Sequence, residues 1–499
     1  MQSGSALAPV LMVQGTASSV GKSTLTAGLC RLFSRRGIRV APFKAQNMSN
    51  NAAVCSDGGE IGRAQYAQAQ AAGVLATVDM NPILLKPQAG AAQVVVRGKV
   101  IGAQTAAEYF GRKRRDYWPI VAESLDRLRS TYELVIAEGA GSPAEINLRD
   151  RDIANMRVAL HAAPECDVVV VADIDRGGAF AALLGTLEWL TPPERILVRG
   201  FVLNRFRGDA SLLSPAPQLL AERTGVPVLG VVPYLERLGV PEEDAASLEP
   251  KSNAAAHVEV AIARLPHLSN FDEFGPLAAE PRVRVVYATS PADLRAPDLV
   301  IVPGSKATIP DLRWLHESGL AERIQWLAGH GTPTLGVCGG LQMLGQTVSD
   351  PTHIESADAE ARALGLLPLS TVLTERKTLR QVHGAARADL EGFWACLAGQ
   401  VVSGYEIHVG HTPADGLPPL LRLTDRDDGV VRGDVAGTYV HGLFEGPGPR
   451  RGLVSALAER RGFAAEHDVG ATYDSFDRLA DVLEQSLDLA ALTVVPIHR

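Results

Sequence analysis

At 499 residues the chain is too long for one hydrophobic core, and its 46% hydrophobic and 21% charged residues belong to a globular protein rather than a disordered one. A formal charge of −8 with both signs interspersed leaves no extended basic face for a nucleic-acid backbone, and no apolar run approaches the ~20 residues that span a bilayer. The five cysteines are scattered without a C-x-x-C pair, and the opening residues lack the cationic start and long apolar run of a secretory leader, which points to reduced thiols in a cytoplasmic protein.

Short apolar runs at 10–14, 39–42, 134–137, 167–172, 199–204 and 226–232 alternate with helical patterns, which predicts a mostly parallel α/β sheet with helices on both faces. Several runs are continuously apolar, as strands buried on both sides should be. Between 235 and 257 the apolar rhythm lapses into Glu, Asp, Ala, Ser, Pro, Lys and Asn. The expected organisation is therefore a first α/β domain at 1–245, a linker at 246–256 and a second α/β domain at 257–499. Apolar runs at 258–263, 283–287, 299–302, 334–337 and 437–440 supply the strands of that second domain. Residues 350–363, acidic and Ala-rich, read as a surface excursion. Phe476, Leu479, Val482, Leu483 and Leu487 recur at helical spacing and predict a core-packing helix at its end.

After the run 10–13 comes Gly15-Thr16-Ala17-Ser18-Ser19-Val20-Gly21-Lys22-Ser23, and a helical pattern starts at Thr24. A strand, a small-residue loop and a helix in this order turn backbone N–H groups toward phosphate oxygens. Gly15, Thr16, Ser19, Val20, Gly21 and Thr24 are expected around the phosphates, Lys22 as the point charge and Ser23 as a Mg²⁺ ligand. The spacing is a variant, with Thr16 where a first glycine is usual. Mg²⁺ needs further oxygen ligands at strand ends, and run 134–137 delivers Glu138 into Gly139-Ala140-Gly141. Run 167–172 ends at Asp173, Asp175 and Arg176, which either orient metal, phosphate or an acceptor carboxylate, or form a polar strand end. The cluster Arg112-Lys113-Arg114-Arg115 reads as attraction for an anionic substrate or as a solvated helix face.

The run 334–337 leads into Cys338-Gly339-Gly340 and a helical pattern from Leu341. This is a nucleophile elbow with cysteine in place of serine, its glycines permitting the strained turn that projects the side chain. His441, just past the run 437–440, is the expected base; His408, in Gly404-Tyr405-Glu406-Ile407-His408, is its competitor and otherwise orients glutamine or the domain interface, with Tyr405 expected to orient substrate or phosphate. An oxyanion hole is expected from a backbone N–H near Gly304, in Pro303-Gly304-Ser305-Lys306, together with that of Gly339.

A phosphate-binding domain fused to a thiol glutaminase resembles the ATP-dependent amidotransferases. The passages 14–23, 42–50, 59–65, 80–87, 138–148, 173–179, 204–209, 265–271, 303–306, 336–343, 405–408 and 439–444 resemble one branch of them, the cobyric acid synthase family of the cobalamin pathway. That resemblance implies a dethiobiotin-synthetase-like P-loop domain followed by a class I glutaminase domain. It implies as substrates ATP with Mg²⁺, glutamine and a corrinoid, adenosylcobyrinic acid a,c-diamide, four of whose peripheral carboxylates (b, d, e and g) are amidated in turn. It also implies that Glu60, as a further metal ligand, and Asn47 lie near nucleotide or corrinoid. Class I glutaminases usually carry a glutamate two residues after the histidine, yet this chain has Leu443 there, which leaves His441 without its usual partner and predicts a slow glutaminase. The alternatives are a cobyrinic acid a,c-diamide synthase, with the same domain plan, and a ParA-like ATPase switch, whose signature lysine is here Ala17.

Overall fold

The computed structural model describes residues 7–88, 91–112, 116–235, 238, 256–414, 416–463 and 474–494. The expected linker lies outside them except for its last residue, and of the basic cluster only the backbone of Arg112 is described. The chain forms two compact units, Met1–Asp244 with Tyr473–Arg499, and Ala245–Thr472. No helix among the described residues is long and apolar enough to cross a membrane.

The first unit is built on six parallel strands: β1 (Val10–Gly15), β2 (Val40–Phe43), β3 (Leu134–Glu138), β4 (Cys166–Asp173), β5 (Val198–Phe206) and β6 (Val228–Pro233), in the spatial order β6-β5-β4-β1-β3-β2. Along β1, Val10 and Met12 enter one apolar cluster while Leu11 and Val13 enter another; Val168 and Val170 of β4 part from Val169 and Val171 in the same way. Burial on both faces explains why these strands appear as unbroken apolar runs. Helix α1 (Lys22–Arg35) leaves the loop after β1 with Gly21 at φ +94°, a conformation suited to glycine.

The second unit carries β7 (Val258–Ala263), β8 (Val283–Ala288), β9 (Leu299–Val302), β10 (Thr334–Val337), β11 (Val430–Arg432) and β12 (Val435–Thr438), in the order β8-β7-β9-β10-β12-β11. All pair in parallel except β11, an antiparallel edge on β12. Helix α2 (Thr308–Glu317) follows β9 and α3 (Gly339–Leu344) follows β10. The last expected strand is displaced two residues toward the N-terminus, ending at Thr438, so His441 stands on the loop beyond it.

Two expectations need correction. The terminal helix α4 (Ser475–Ser486) is core-packing, but it belongs to the first unit rather than the second. Its Leu479 and Leu483 pack on α1 so closely that a Cβ on Gly28 would lie 2.5 Å from Leu483 Cδ1. Arg31 Nε donates to Asp477 at 2.8 Å and Arg35 to Asp481 at 2.7 Å along the same seam. The acidic segment 350–363 does lie at the surface, and it is ordered there: Asp350 is fully buried and accepts the N–H groups of Ile354, Glu355 and Ser356, and Glu360–Arg362 pairs with Thr347–Ser349. Antiparallel structure also lies where the alternating runs gave none. In a four-stranded sheet Ile83–Gln88, Ala91–Val96 and Lys99–Gln104 pair antiparallel while Gln46–Met48 joins in parallel, and Ser370–Ala386 pairs antiparallel with Val401–His411.

Candidate active sites

At the C-terminal end of β10 the chain makes the expected elbow. Cys338 adopts φ +54°, ψ −110°, a strained conformation for a non-glycine residue, and its N–H donates to Thr438 O at 2.8 Å. Two glycines permit the turn by close approach: a Cβ on Gly340 would lie 1.8 Å from Val302 O, and one on Gly336 2.7 Å from the Gly340 carbonyl carbon.

Cys338 Sγ donates to Ile407 O at 3.4 Å, and His441 Nδ1 lies 2.8 Å from Glu273 Oε1. The second oxygen of Glu273 accepts the N–H of Gly442 at 3.1 Å, so one carboxylate fixes both the imidazole and its loop. Burial alone would depress the imidazole, but Glu273 and Cys338 outweigh it and raise His441 to about 10. The imidazolium that results is the charge a neighbouring thiolate needs. His441 therefore has an orienting carboxylate after all, supplied by the turn Phe271–Phe274 instead of by position 443. Asn270 brings its side-chain amide to 3.4 Å from His441 Nε2.

The loop after β9 is held by a short antiparallel bridge: Ser269 N–H donates to Gly304 O and Lys306 N–H to His267 O, each at 3.0 Å. The Gly304–Ser305 peptide gives its carbonyl to Ser269 and so turns the Ser305 N–H to the opposite side. That side faces the elbow, since a Cβ on Gly339 would lie 3.0 Å from Ser305 N. Of this loop it is thus the Ser305 nitrogen that approaches Gly339, while Gly304 leaves room for His441, whose Cε1 would lie 3.3 Å from a Cβ there.

His408 stacks on Tyr439 with ring centroids 3.8 Å apart, and burial, together with the nearby His441 and against the pull of Glu406, lowers it to about 4. It is a neutral imidazole at pH 7. Tyr405 stacks on His441 at 5.4 Å and exchanges backbone hydrogen bonds with it. Burial pushes the thiols of Cys30 and Cys55 up, and those of Cys166 and Cys396 up to about 12, which keeps these four protonated. The five cysteines form no disulfide.

In the first unit the loop 15–23 holds Ser19 at φ +57° and closes on itself, with Lys22 Nζ donating to Ala17 O at 2.8 Å and to Gly141 O at 3.0 Å. A Cβ on Gly15 would lie 2.6 Å from Val20 Cγ2 and 3.0 Å from Lys22 Nζ, so the cradle requires glycine. Thr16 N–H is tied to Val171 O at 2.9 Å, and Asn204 Nδ2 donates to Val20 O at 2.8 Å. Thr24 is half-buried at the start of α1. Ser23 Oγ donates to Glu138 Oε1 at 2.7 Å, bringing together two of the expected metal ligands. The Glu138 carboxylate also accepts Lys44 Nζ at 2.9 Å and Gln68 Nε2 at 2.7 Å. Burial would raise Glu138; Lys44, Ser23 and Gln68 outweigh it and hold the carboxyl below its ordinary value.

The remaining expected groups have partners of their own. Glu60 forms a buried ion pair with Lys86, and Asn47 Nδ2 donates to Gln65 Oε1 at 2.9 Å. Asp173 is paired with Arg176 at 3.3 Å and Arg205 at 3.2 Å, and Asp175 with Arg207 at 3.3 Å, so at least one role of these acids is to hold arginines at the sheet end.

Residues 11–247 match the CobQ/CobB/MinD/ParA nucleotide binding domain and residues 259–449 the CobB/CobQ-like glutamine amidotransferase domain. A cobyric acid synthase of Sorangium cellulosum is 48% identical over 97% of this chain and 97% of that one. Those of Moorella thermoacetica, at 47% over 98% and 97%, and Chloroflexus aurantiacus, at 48% over 97% and 98%, are similar to the same extent. The chain belongs to the cobyric acid synthase family. It is a two-domain α/β enzyme that uses ATP and hydrolyses glutamine to form amides.

For this member of the cobyric acid synthase family, residue patterns missed Glu273, Ser305, Lys44 and Gln68. Lys44 and Gln68 lie in stretches singled out for the family resemblance or just beyond one, and Glu273 two residues beyond the stretch 265–271. The available signal for Glu273 was an acidic pair, Asp272-Glu273, wedged between Phe271 and Phe274, where burial would demand a partner.

Proposed function

We propose that the protein converts adenosylcobyrinic acid a,c-diamide to cobyric acid by amidating its b, d, e and g carboxylates with ammonia released from glutamine in the second unit. The contact that carries the glutamine-hydrolysing part of this reading is the buried Glu273–His441 hydrogen bond at the elbow of Cys338, an arrangement that suits a thiol nucleophile. The Cys338 thiolate attacks the glutamine amide carbon, and the Ser305 and Gly339 N–H groups receive the oxyanion. His441 gives its proton to the departing ammonia; the neutral imidazole then takes a proton from water as water cleaves the thioester, restoring thiol and glutamate. Glu273 holds the ring in the orientation that both transfers require. Tyr405 and His408 flank this centre and orient glutamine, the neutral His408 adding no competing charge.

In the first unit, residues 15–24 bind the ATP phosphates, with Lys22 leaving the Ala17 and Gly141 carbonyls for the phosphate oxygens. Ser23 and Glu138 place two hard oxygen donors side by side, the donor chemistry that suits Mg²⁺, which when bound neutralises charge developing on the transferred phosphoryl group. Glu60 can join them only if Lys86 gives up its carboxylate. Each substrate carboxylate takes the γ-phosphoryl group of ATP to become an acyl phosphate, because hydroxide-like groups do not leave a carboxylate at neutral pH. Ammonia then displaces phosphate. Asn47, Asp173, Asp175 and Arg176 are the candidates for orienting the acceptor. Free thiols suit a cytoplasmic setting.

Exhaustive reaction with the a,c-diamide, ATP and glutamine, followed by mass analysis, should give four replacements of hydroxyl by amino group. No amidation of the a,c-diamide, but two additions to the same corrinoid with its a and c carboxylates free, would assign the chain to a,c-diamide synthesis instead.

A further inference from the structure

We propose that Asp311 is a positioning residue of the glutamine-hydrolysing centre, holding the Ser305 peptide in register with Cys338 without touching substrate. This rests on the reading of Ser305 and Gly339 as the oxyanion donors. Asp311 is on α2, fully buried, and its carboxylate grips both strands of the short bridge that shapes the loop. Ser305 Oγ donates to Asp311 Oδ2 at 2.6 Å, on one side. On the other, His267 N–H lies 3.2 Å from each carboxylate oxygen and His267 Nδ1 lies 2.7 Å from Oδ1. Ser305 Oγ accepts the Ala307 N–H at 2.9 Å in turn, so the hydroxyl is fixed from both ends.

The geometry explains why a carboxylate is needed. Two oxygens with four lone-pair directions accept a hydroxyl, a ring nitrogen and a shared backbone N–H together; an amide has one such oxygen. The object held is the peptide whose carbonyl goes to Ser269 and whose N–H faces Gly339. An oxyanion donor acts only when aimed at where the negative charge develops, so a loop free to shift loses rate rather than affinity. Cys338 and His441 are anchored separately, through β10, β12 and Glu273.

The test uses the full-length protein and the variants Asp311→Asn and Ser305→Ala, with three readouts: kcat and KM for glutamine hydrolysis, the rate of Cys338 alkylation by iodoacetamide, and amidation driven by ammonium. Alkylation needs the activated thiol but no oxyanion hole. Asp311→Asn should lower kcat about tenfold to a hundredfold, with KM and alkylation within about twofold and ammonium-driven amidation unchanged. Ser305→Ala, which keeps its own N–H, should show a smaller fall of the same kind. Unchanged kcat in Asp311→Asn would overturn the proposal, and so would parallel loss of hydrolysis and alkylation, which would make Asp311 a support of the whole fold. Glutamine hydrolysis surviving in Cys338→Ala would sink the underlying reading; an inactive Cys338→Ala beside a normal Asp311→Asn sinks only the role of Asp311.

Discussion

Glu273 Oε1 lies 2.8 Å from His441 Nδ1 across a separation of 168 residues in the chain, and both side chains are buried. The carboxylate supplies from a distant turn what most class I glutaminases place two residues after the histidine. Glu273→Gln should lower kcat for glutamine hydrolysis by about 10²- to 10⁴-fold, the range expected when a histidine loses its orienting carboxylate. Because Glu273 helps raise His441 to about 10, the imidazolium persists below that pH and is lost above it. The residual activity of the variant should therefore fall off at a lower pH than that of the native enzyme. A pH–rate profile for both proteins checks this, and an unchanged alkaline limb would remove Glu273 from the account.

Thiol reactivity gives a second test. Cys30, Cys55, Cys166 and Cys396 are pushed up by burial, whereas Cys338 stands beside an imidazolium. Limiting iodoacetamide at pH 7 should modify Cys338 first, as read by peptide mass analysis, and Glu273→Gln should slow that labelling. Preferential labelling at any other cysteine would contradict the electrostatic reading.

Asp428 is buried next to β12 in contact with Thr438. Burial, opposed by the Thr438 hydroxyl and reinforced by Glu406, raises it to about 6, while Arg426 partly offsets the repulsion. The folded state thus binds this proton more tightly than the unfolded chain, so stability from this group is present at low pH and declines as pH rises through about 4 to 6. Asp428→Asn removes that loss and should stabilise the second unit at pH 7.5 by roughly 1–3 kcal/mol, with the gain shrinking toward pH 4. Urea unfolding at the two pH values measures it, and a gain that grows on acidification would refute the assignment.

At the seam between α1 and α4, burial should outweigh charge. Leu483→Ala is expected to cost about 2–5 kcal/mol, as for a filled core position. Asp477→Ala, whose partner Arg31 is partly exposed, should cost no more than about 1 kcal/mol. Denaturation of the two variants ranks the effects, and the reverse order would mean that the ion pairs fasten the helix.

What was legible in the chain follows from how local each signal is. Strands such as β4, buried on both faces, announce themselves as apolar runs, and the elbow at Cys338 is legible because close backbone approach demands glycines nearby. The sheet at Gln46–Gln104 was hidden by its solvated edge, where Lys99–Gln104 is almost wholly exposed. Leu479 and Leu483 reveal that a helix has an apolar face, but not which core receives it; α1 accepts it because Gly28 leaves room. Lys44 and Glu273 were silent for a related reason, since a buried ion or hydrogen-bond pair joins residues whose sequence separation carries no period.

The most direct test of the account follows the nitrogen. With amide-¹⁵N glutamine, ATP and the corrinoid diamide, the native protein should place ¹⁵N in every new amide. Cys338→Ala should form no amide from glutamine yet make the same product from unlabelled ammonium. Label transfer by Cys338→Ala, or its failure with ammonium, would contradict the division of labour between the thiol centre and the ATP-dependent one.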